Sequence, residues 1–191
     1  FSSLFFSLSL FFSLSKPFFF AEISGINLSI TVDDGDLSRI FKAFAEHSVL
    51  LFRNQNLDDE SQVAFSKQIG TVERSFVDNL GRSRPEITNL SNVDKNNKLL
   101  EKGSDRDVFL SGNQVWHTDG SFKLVPSLGS ALSAREVPPI GGETEFSDMR
   151  AAYDALPYAT KCVIEDLTAE HDFLYSQGTI GIEYMSEKEK T

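Results

Sequence analysis

His117 and Asp119 stand two residues apart in NQVWHTDGSF, residues 113–122, behind a tryptophan and ahead of a glycine. In an extended segment residues i and i+2 project to the same side, so an imidazole nitrogen and a carboxylate oxygen can be aimed at one point. Mononuclear non-haem iron uses two histidines and one carboxylate on a single facet and leaves the remaining positions open for substrate and oxygen. The pair supplies two of those three donors. The same spacing also describes a surface pair at the end of a strand, and spacing alone does not separate the two. Thiolate chemistry is more restricted: the single cysteine, Cys162, allows no internal disulfide and no cysteine-rich structural zinc site, and fits a reducing compartment.

What must position the pair is a folded domain, and the composition permits one. A chain of 191 residues with 40% hydrophobic and 24% charged residues can bury a sizeable core, either as one domain or as part of a larger one. The net charge of −10 argues against a general nucleic-acid binder, which needs a basic face. Residues 1–16 are low-complexity Phe, Ser and Leu and are expected to be an N-terminal extension. Serines interrupt this run, whereas a membrane span needs about 20 mostly apolar residues. A signal peptide would carry a basic start and a small-residue cleavage site, and neither is visible. Neither a membrane nor a nucleic acid is an expected partner, and a cytoplasmic location is the expectation. The chain starts at Phe1 and ends in the charged run 187–191, which reads as a fragment at both ends and leaves targeting open.

From Pro17 the pattern alternates. Residues 21–30 suggest two short extended pieces around Gly25. The spacing predicts a helix over 36–47 with Leu37, Ile40, Phe41 and Phe44 on one face, then a buried strand in SVLLFRNQ, residues 48–55. A second helix is expected over 56–70, with acidic residues in its first turn and Gly70 as its stop. Residues 71–110 look loop-rich, with one strand around 87–90 and a solvated loop over 94–107. Short strands are expected over 127–137 and 143–149, separated by PPIGG, followed by a helix from Asp148 that Pro157 ends and another in 161–173. Short strands with one flanking helical layer indicate an α+β domain, mainly β, whose sheet closes as a barrel or jelly roll.

The blocks HSVLLFRNQNLDDESQVAFSKQIG, WHTDGSF, SALSAREVPPIGGETEFSDMRAAYDALP and LTAEHDFLYS, in this order and spacing around the pair, resemble the taurine/2,4-dichlorophenoxyacetate dioxygenase (TauD/TfdA-like) family of Fe(II)- and 2-oxoglutarate-dependent oxygenases. The resemblance spans roughly residues 17–180 and makes 17–191 the N-terminal part of one such domain. It implies a double-stranded β-helix (jelly roll) with flanking helices, incomplete at the C-terminus. It implies an enzyme that consumes molecular oxygen and 2-oxoglutarate, hydroxylates a small organic substrate and releases succinate and CO2. His117 and Asp119 would be the first two iron ligands. Thr144, in GGET, matches the threonine that binds the distal carboxylate of 2-oxoglutarate. Asn113 falls where the family has a polar residue near co-substrate and substrate, and Ser176 aligns with a serine on the substrate side.

The resemblance puts the second histidine ligand, and an arginine that binds 2-oxoglutarate, well beyond the AEH segment. Neither is in this sequence, so the fragment alone is expected to be inactive. His171 is not the third ligand on this reading. His47 is expected to complement the dipole at the end of a helix, Arg135 and Arg150 to serve the scaffold, and Trp116 to pack behind the ligands. SFVDNLGRS, residues 75–83, should border the substrate and brings Asp78 and Arg82. Asp78 would oppose an anion, so neither taurine nor a phenoxyacetate follows as the substrate. Two rival readings stand: a catalytically inactive jelly-roll binding protein or truncated fragment, and a cupin-like metal enzyme without 2-oxoglutarate, against which the GGET threonine speaks. Self-association into a homo-oligomer is left open.

Overall fold

The alternation over residues 20–52 folds as a βαβ unit in the structure, a computed structural model that describes residues 19–74, 84–94, 96, 98–172 and 175. Strands β1 (Phe20–Ile23) and β2 (Val49–Phe52) pair in parallel, in register from Phe20↔Val49 to Ile23↔Phe52. Parallel neighbours need a crossover, and helix α1 (Asp34–His47) supplies it. The helix begins two residues earlier than its periodicity predicts, because Asp33 takes the cap and accepts from the Asp36 N–H at 3.0 Å.

Every residue of β2 is buried, as a continuous apolar run between helices requires. Around it Leu28, Val32, Ile40, Leu57 and Phe65 form the core, with Leu37 and Phe44 partly buried against it. Phe41 was expected on the same helix face but is 38% exposed. One further residue turns the helix by about 100°, which carries Phe41 off the 37–40–44 stripe.

Helix α2 (Asp59–Ile69) starts later than the predicted residue 56 because Asp58 is its cap. Asp58 Oδ1 accepts from the Ser61 N–H at 2.8 Å while the Asp58 N–H donates to Ser61 Oγ at 3.0 Å, a reciprocal capping box. The Ser61 hydroxyl and N–H hold the Asp58 carboxyl below its ordinary value of 3.8. Phe65 of α2 meets Phe52 edge to face at 6.2 Å.

Two glutamines tie irregular backbone to this core. Gln55 is buried; its Oε1 accepts from the Leu28 N–H at 2.9 Å and its Nε2 donates to the Ile26 and Arg53 carbonyls at 3.1 and 3.0 Å. Gln68 pairs with both polar groups of the Val32 backbone, at 3.0 and 2.9 Å.

The chain forms two compact units: Phe1–Glu73 with Ala131–Leu167, and Arg74–Ser130 with Thr168–Thr191. In the first, two arginines fasten the returning segment. Arg135 donates to the Leu57 carbonyl, to Asp59 Oδ1 at 3.0 Å and to Gln62 Oε1 at 3.1 Å. Arg150 donates to the Ala45 and Glu46 carbonyls at 3.0 and 3.2 Å and to Ser48 Oγ at 2.7 Å. These are the carbonyls a helix C-terminus leaves without internal partners. Helix α4 (Met149–Ala155) is capped by Asp148, whose Oδ1 accepts from the Arg150 and Ala151 N–H groups; Pro157 then precedes α5 (Tyr158–Ile164).

The second unit departs further from the sequence reading. Helix α3 (Asp105–Ser111) occupies the end of the expected loop. Its start is set by Ser104, whose carbonyl accepts from the Val108 N–H at 2.9 Å, and by Asp107, which accepts from the Gly103 N–H at 2.8 Å. The strand expected around 87–90 joins no ladder, and only the Val93↔Leu99 bridge forms nearby. The strands expected over 127–137 and 143–149 do not form as strands among the described residues, where Ala134 takes part in an isolated β-bridge. The described residues therefore show five α-helices and a two-stranded parallel sheet. No helix among them is long and apolar enough to cross a membrane.

Candidate functional site

Helix α3 runs into a 3-10 turn (Gly112–Gln114), closed by the Val115 N–H on the Gly112 carbonyl at 3.3 Å. Residues 115–118 then cross as irregular backbone, and the chain turns at Asp119 and Gly120, with the Lys123 N–H on the Gly120 carbonyl at 3.1 Å. Gly120 has φ +65°, the left-handed region glycine occupies without strain. His117 and Asp119 are thus carried by a loop, not by the strand expected from their spacing.

The loop brings the two side chains together: His117 Nε2 lies 3.3 Å from Asp119 Oδ1. The far side of each group is occupied. His117 Nδ1 is 2.6 Å from the Val115 carbonyl oxygen. A carbonyl only accepts, so Nδ1 carries the proton, and in the neutral ring the Nε2 lone pair faces the carboxylate. Asp119 Oδ2 accepts a hydrogen bond from Ser130 Oγ at 2.6 Å. Nε2 and Oδ1 at 3.3 Å are placed so that both can donate a lone pair to one metal ion. Ligand atoms about 2.0–2.2 Å from an ion and at right angles stand about 3 Å apart, close to this separation. The donor set, one imidazole nitrogen and one carboxylate oxygen with outer partners fixing both groups, fits Fe(II).

The pair is open on this side, with side-chain exposures of 47% for His117 and 62% for Asp119. Among the described residues no three His, Cys, Asp or Glu side chains gather at one point. His171 sits against Ser121, its Nδ1 2.9 Å from the hydroxyl. Asn113 lies in the 3-10 turn with an exposed side chain. Thr144 is half-buried in the first unit, just after Gly141 and Gly142, both at positive φ. Ser176, Asp78 and Arg82 lie outside the described residues. Trp116 was expected to pack behind the ligands and is 64% exposed, because no described element covers the 115–118 stretch.

Two contributors escaped the sequence reading. Ser130 sits in a segment read only as a strand, and its distance of eleven residues from Asp119 carries no recognisable period. The Val115 carbonyl is backbone, to which residue type gives no clue.

The family profile described as "Taurine catabolism dioxygenase TauD, TfdA family" matches residues 12–191. The chain is 38% identical over 178 residues to the alpha-ketoglutarate-dependent 2,4-dichlorophenoxyacetate dioxygenase of Cupriavidus pinatubonensis, covering 91% of this chain and 62% of that protein. It is 34% identical over 165 residues to the (S)-phenoxypropionate/alpha-ketoglutarate-dioxygenase of Delftia acidovorans, covering 84% of this chain and 54% of that one. The crystal structure of AAD-2 in complex with Mn(II) and N-oxalylglycine superposes with a TM-score of 0.73 at 37% identity, over 90% of this chain and 59% of that one. The chain therefore spans somewhat over half the length of these relatives. With the profile matched from residue 12 to residue 191, the chain belongs to the TauD, TfdA dioxygenase family.

Proposed function

We propose that the protein is an Fe(II)- and 2-oxoglutarate-dependent dioxygenase that hydroxylates a small organic substrate, with His117 and Asp119 as two of the iron ligands. The observation that carries this reading is the His117 Nε2–Asp119 Oδ1 approach at 3.3 Å with the imidazole proton turned away onto Val115. Family membership supports it, as do the alpha-ketoglutarate-dependent relatives. The double-stranded β-helix is the architecture we assign to the whole domain, of which residues 17–191 are the N-terminal part.

Bound there, the iron would supply the redox chemistry that couples decarboxylation of 2-oxoglutarate to succinate and CO2 with hydroxylation of a C–H bond. The chain's own residues do the rest. The Val115 carbonyl orients the His117 ring and fixes its tautomer, so that a lone pair is presented. Asp119 offsets part of the metal charge. Thr144 donates its hydroxyl to the distal carboxylate of the co-substrate, Asn113 serves the co-substrate and substrate side, and Ser176 the substrate side. For the substrate we begin from small organic acids, because two of the relatives are named for phenoxyalkanoates.

The test is succinate formation by the whole domain with Fe(II), oxygen and 2-oxoglutarate across a panel of small aryloxy and alkyl carboxylates and sulfate esters. Formation that requires added Fe(II) and disappears in His117→Ala and Asp119→Ala supports the proposal. Turnover that both variants leave intact overturns it.

A further inference from the structure

Asp119 is held on both of its oxygens, and the two contacts differ in kind. Oδ1 faces His117 Nε2 at 3.3 Å. Oδ2 accepts from Ser130 Oγ at 2.6 Å, within the 2.5–2.7 Å range of a hydroxyl bound to a charged carboxylate. The carboxylate can only accept, so the Ser130 hydroxyl is the donor. The segment from 119 to 130 folds back on itself to bring the hydroxyl there, turning at Gly120.

We propose that Ser130 is a positioning residue that keeps Asp119 a one-oxygen ligand and so preserves an open coordination position for the co-substrate. This role rests on His117 and Asp119 being the metal ligands. A carboxylate can bind a divalent cation through one oxygen or through both. Two histidines and a one-oxygen carboxylate leave three positions of an octahedron open. 2-Oxoglutarate, chelating through its keto and C1 carboxylate oxygens, needs two, and molecular oxygen needs the third. Coordination through both oxygens of Asp119 would remove one of these. The hydrogen bond from Ser130 engages Oδ2 elsewhere, and a bond of this kind to a charged group shifts an equilibrium by on the order of tenfold or more. Ser130 touches neither metal nor substrate on this account. Its effect is on which Asp119 oxygens are available.

The test uses the whole domain loaded with Mn(II), which permits binding measurements without turnover. Mn(II) affinity, 2-oxoglutarate affinity of the Mn(II)-loaded protein, and the metal-free Tm are measured for Ser130→Ala, Ser130→Thr, His117→Ala and the parent. Ser130→Ala is expected to weaken 2-oxoglutarate about tenfold, within the range seen on losing an outer partner. Its Mn(II) affinity should stay within about threefold or tighten, since the freed oxygen can join the metal. The metal-free Tm should not move. Ser130→Thr restores the hydroxyl and should restore 2-oxoglutarate affinity, which a purely steric role would not predict. An unchanged 2-oxoglutarate affinity in Ser130→Ala overturns the proposal. So does a joint fall of Mn(II) affinity, 2-oxoglutarate affinity and Tm, which would make the bond a matter of folding. His117→Ala separates the two levels: if it leaves Mn(II) binding intact, the metal-site reading fails. If it abolishes Mn(II) binding while Ser130→Ala leaves 2-oxoglutarate unaffected, only the role of Ser130 fails.

Discussion

Ser127 Oγ occupies the space that a side chain on Gly120 would need, 2.9 Å from where its Cβ would stand. Gly120 also has φ +65°. The glycine after Asp119 is therefore required twice, once by backbone conformation and once by the neighbouring loop. Gly120→Ala should cost about 1–3 kcal/mol, read as a lower urea midpoint. Because the turn aims Asp119, Mn(II) affinity should fall as well. A variant with parental stability and Mn(II) binding would show that the turn tolerates a side chain and that the aim of Asp119 does not depend on it.

Removal of either member of the pair separates metal binding from folding. His117 and Asp119 are both exposed, so little packing is lost on truncation. His117→Ala and Asp119→Ala should each weaken Mn(II) binding more than about a hundredfold, beyond the effect of losing an outer partner. Their Tm without metal should match the parent. Titration calorimetry and thermal melts check the two halves of this expectation, and undiminished binding in either variant removes that residue from the ligand set.

Gln55 makes a different kind of claim on the fold. Its side chain is buried and satisfies the Leu28 N–H and the Ile26 and Arg53 carbonyls. Gln55→Leu keeps the bulk and removes these hydrogen bonds, leaving the buried Leu28 N–H without its acceptor at about 1–3 kcal/mol. Denaturation should show a loss of about 1–3 kcal/mol, since water can reach the part-buried Ile26 and Arg53 carbonyls. A near-neutral variant would mean that water reaches the Leu28 N–H as well.

The core was legible from residue patterns because its signals are local. The apolar run of β2, the acidic starts of α1 and α2, Gly70 and Asp148 all act within a few residues of themselves. Even there, the predicted starts of α1 and α2 shifted by a few residues because an aspartate outside the periodic pattern took the cap. The strands expected over 127–137 and 143–149 rest on short apolar patterns. A local apolar pattern reports which side chains can be buried, whereas a ladder depends on residues distant in the chain, and among the described residues only an isolated bridge at Ala134 forms in these two segments. Around His117 and Asp119 the residue types were legible and their support was not. Ser130 reaches Asp119 through a folded loop and Val115 acts through its carbonyl, and neither leaves a mark on spacing.

Acid should remove the charge from the cap of α2. Ser61 holds the Asp58 carboxyl below its ordinary value of 3.8, so the stabilisation is fully present above that pH and is lost as pH falls through the lower folded value. Asp58→Asn keeps a good N-cap but does not titrate. Melting curves from about pH 5 down to about pH 2 should show the parent losing stability faster than Asp58→Asn over the lower part of the range. Parallel curves would mean that the cap's charge contributes nothing.

Thr144 gives the test most specific to the co-substrate. It is half-buried and follows Gly141 and Gly142, at φ +81° and +75°, where a side chain at Gly142 would press on Pro138. These constraints fix the backbone that presents the threonine. If the Thr144 hydroxyl donates to the distal carboxylate of 2-oxoglutarate, the bond contributes about 1.5–3 kcal/mol, as hydrogen bonds to charged groups do. Thr144→Val preserves shape and removes the donor. Affinity of the Mn(II)-loaded whole domain for 2-oxoglutarate should then fall by roughly one to two powers of ten. Mn(II) affinity should stay at the parental value, because the hydroxyl is not a ligand, whereas Asp119→Ala should lower both. Thr144→Ser keeps a hydroxyl and should recover most of the 2-oxoglutarate affinity. If Thr144→Val binds 2-oxoglutarate as tightly as the parent, the hydroxyl has no part in holding the co-substrate, and Thr144 serves only the turn that precedes it.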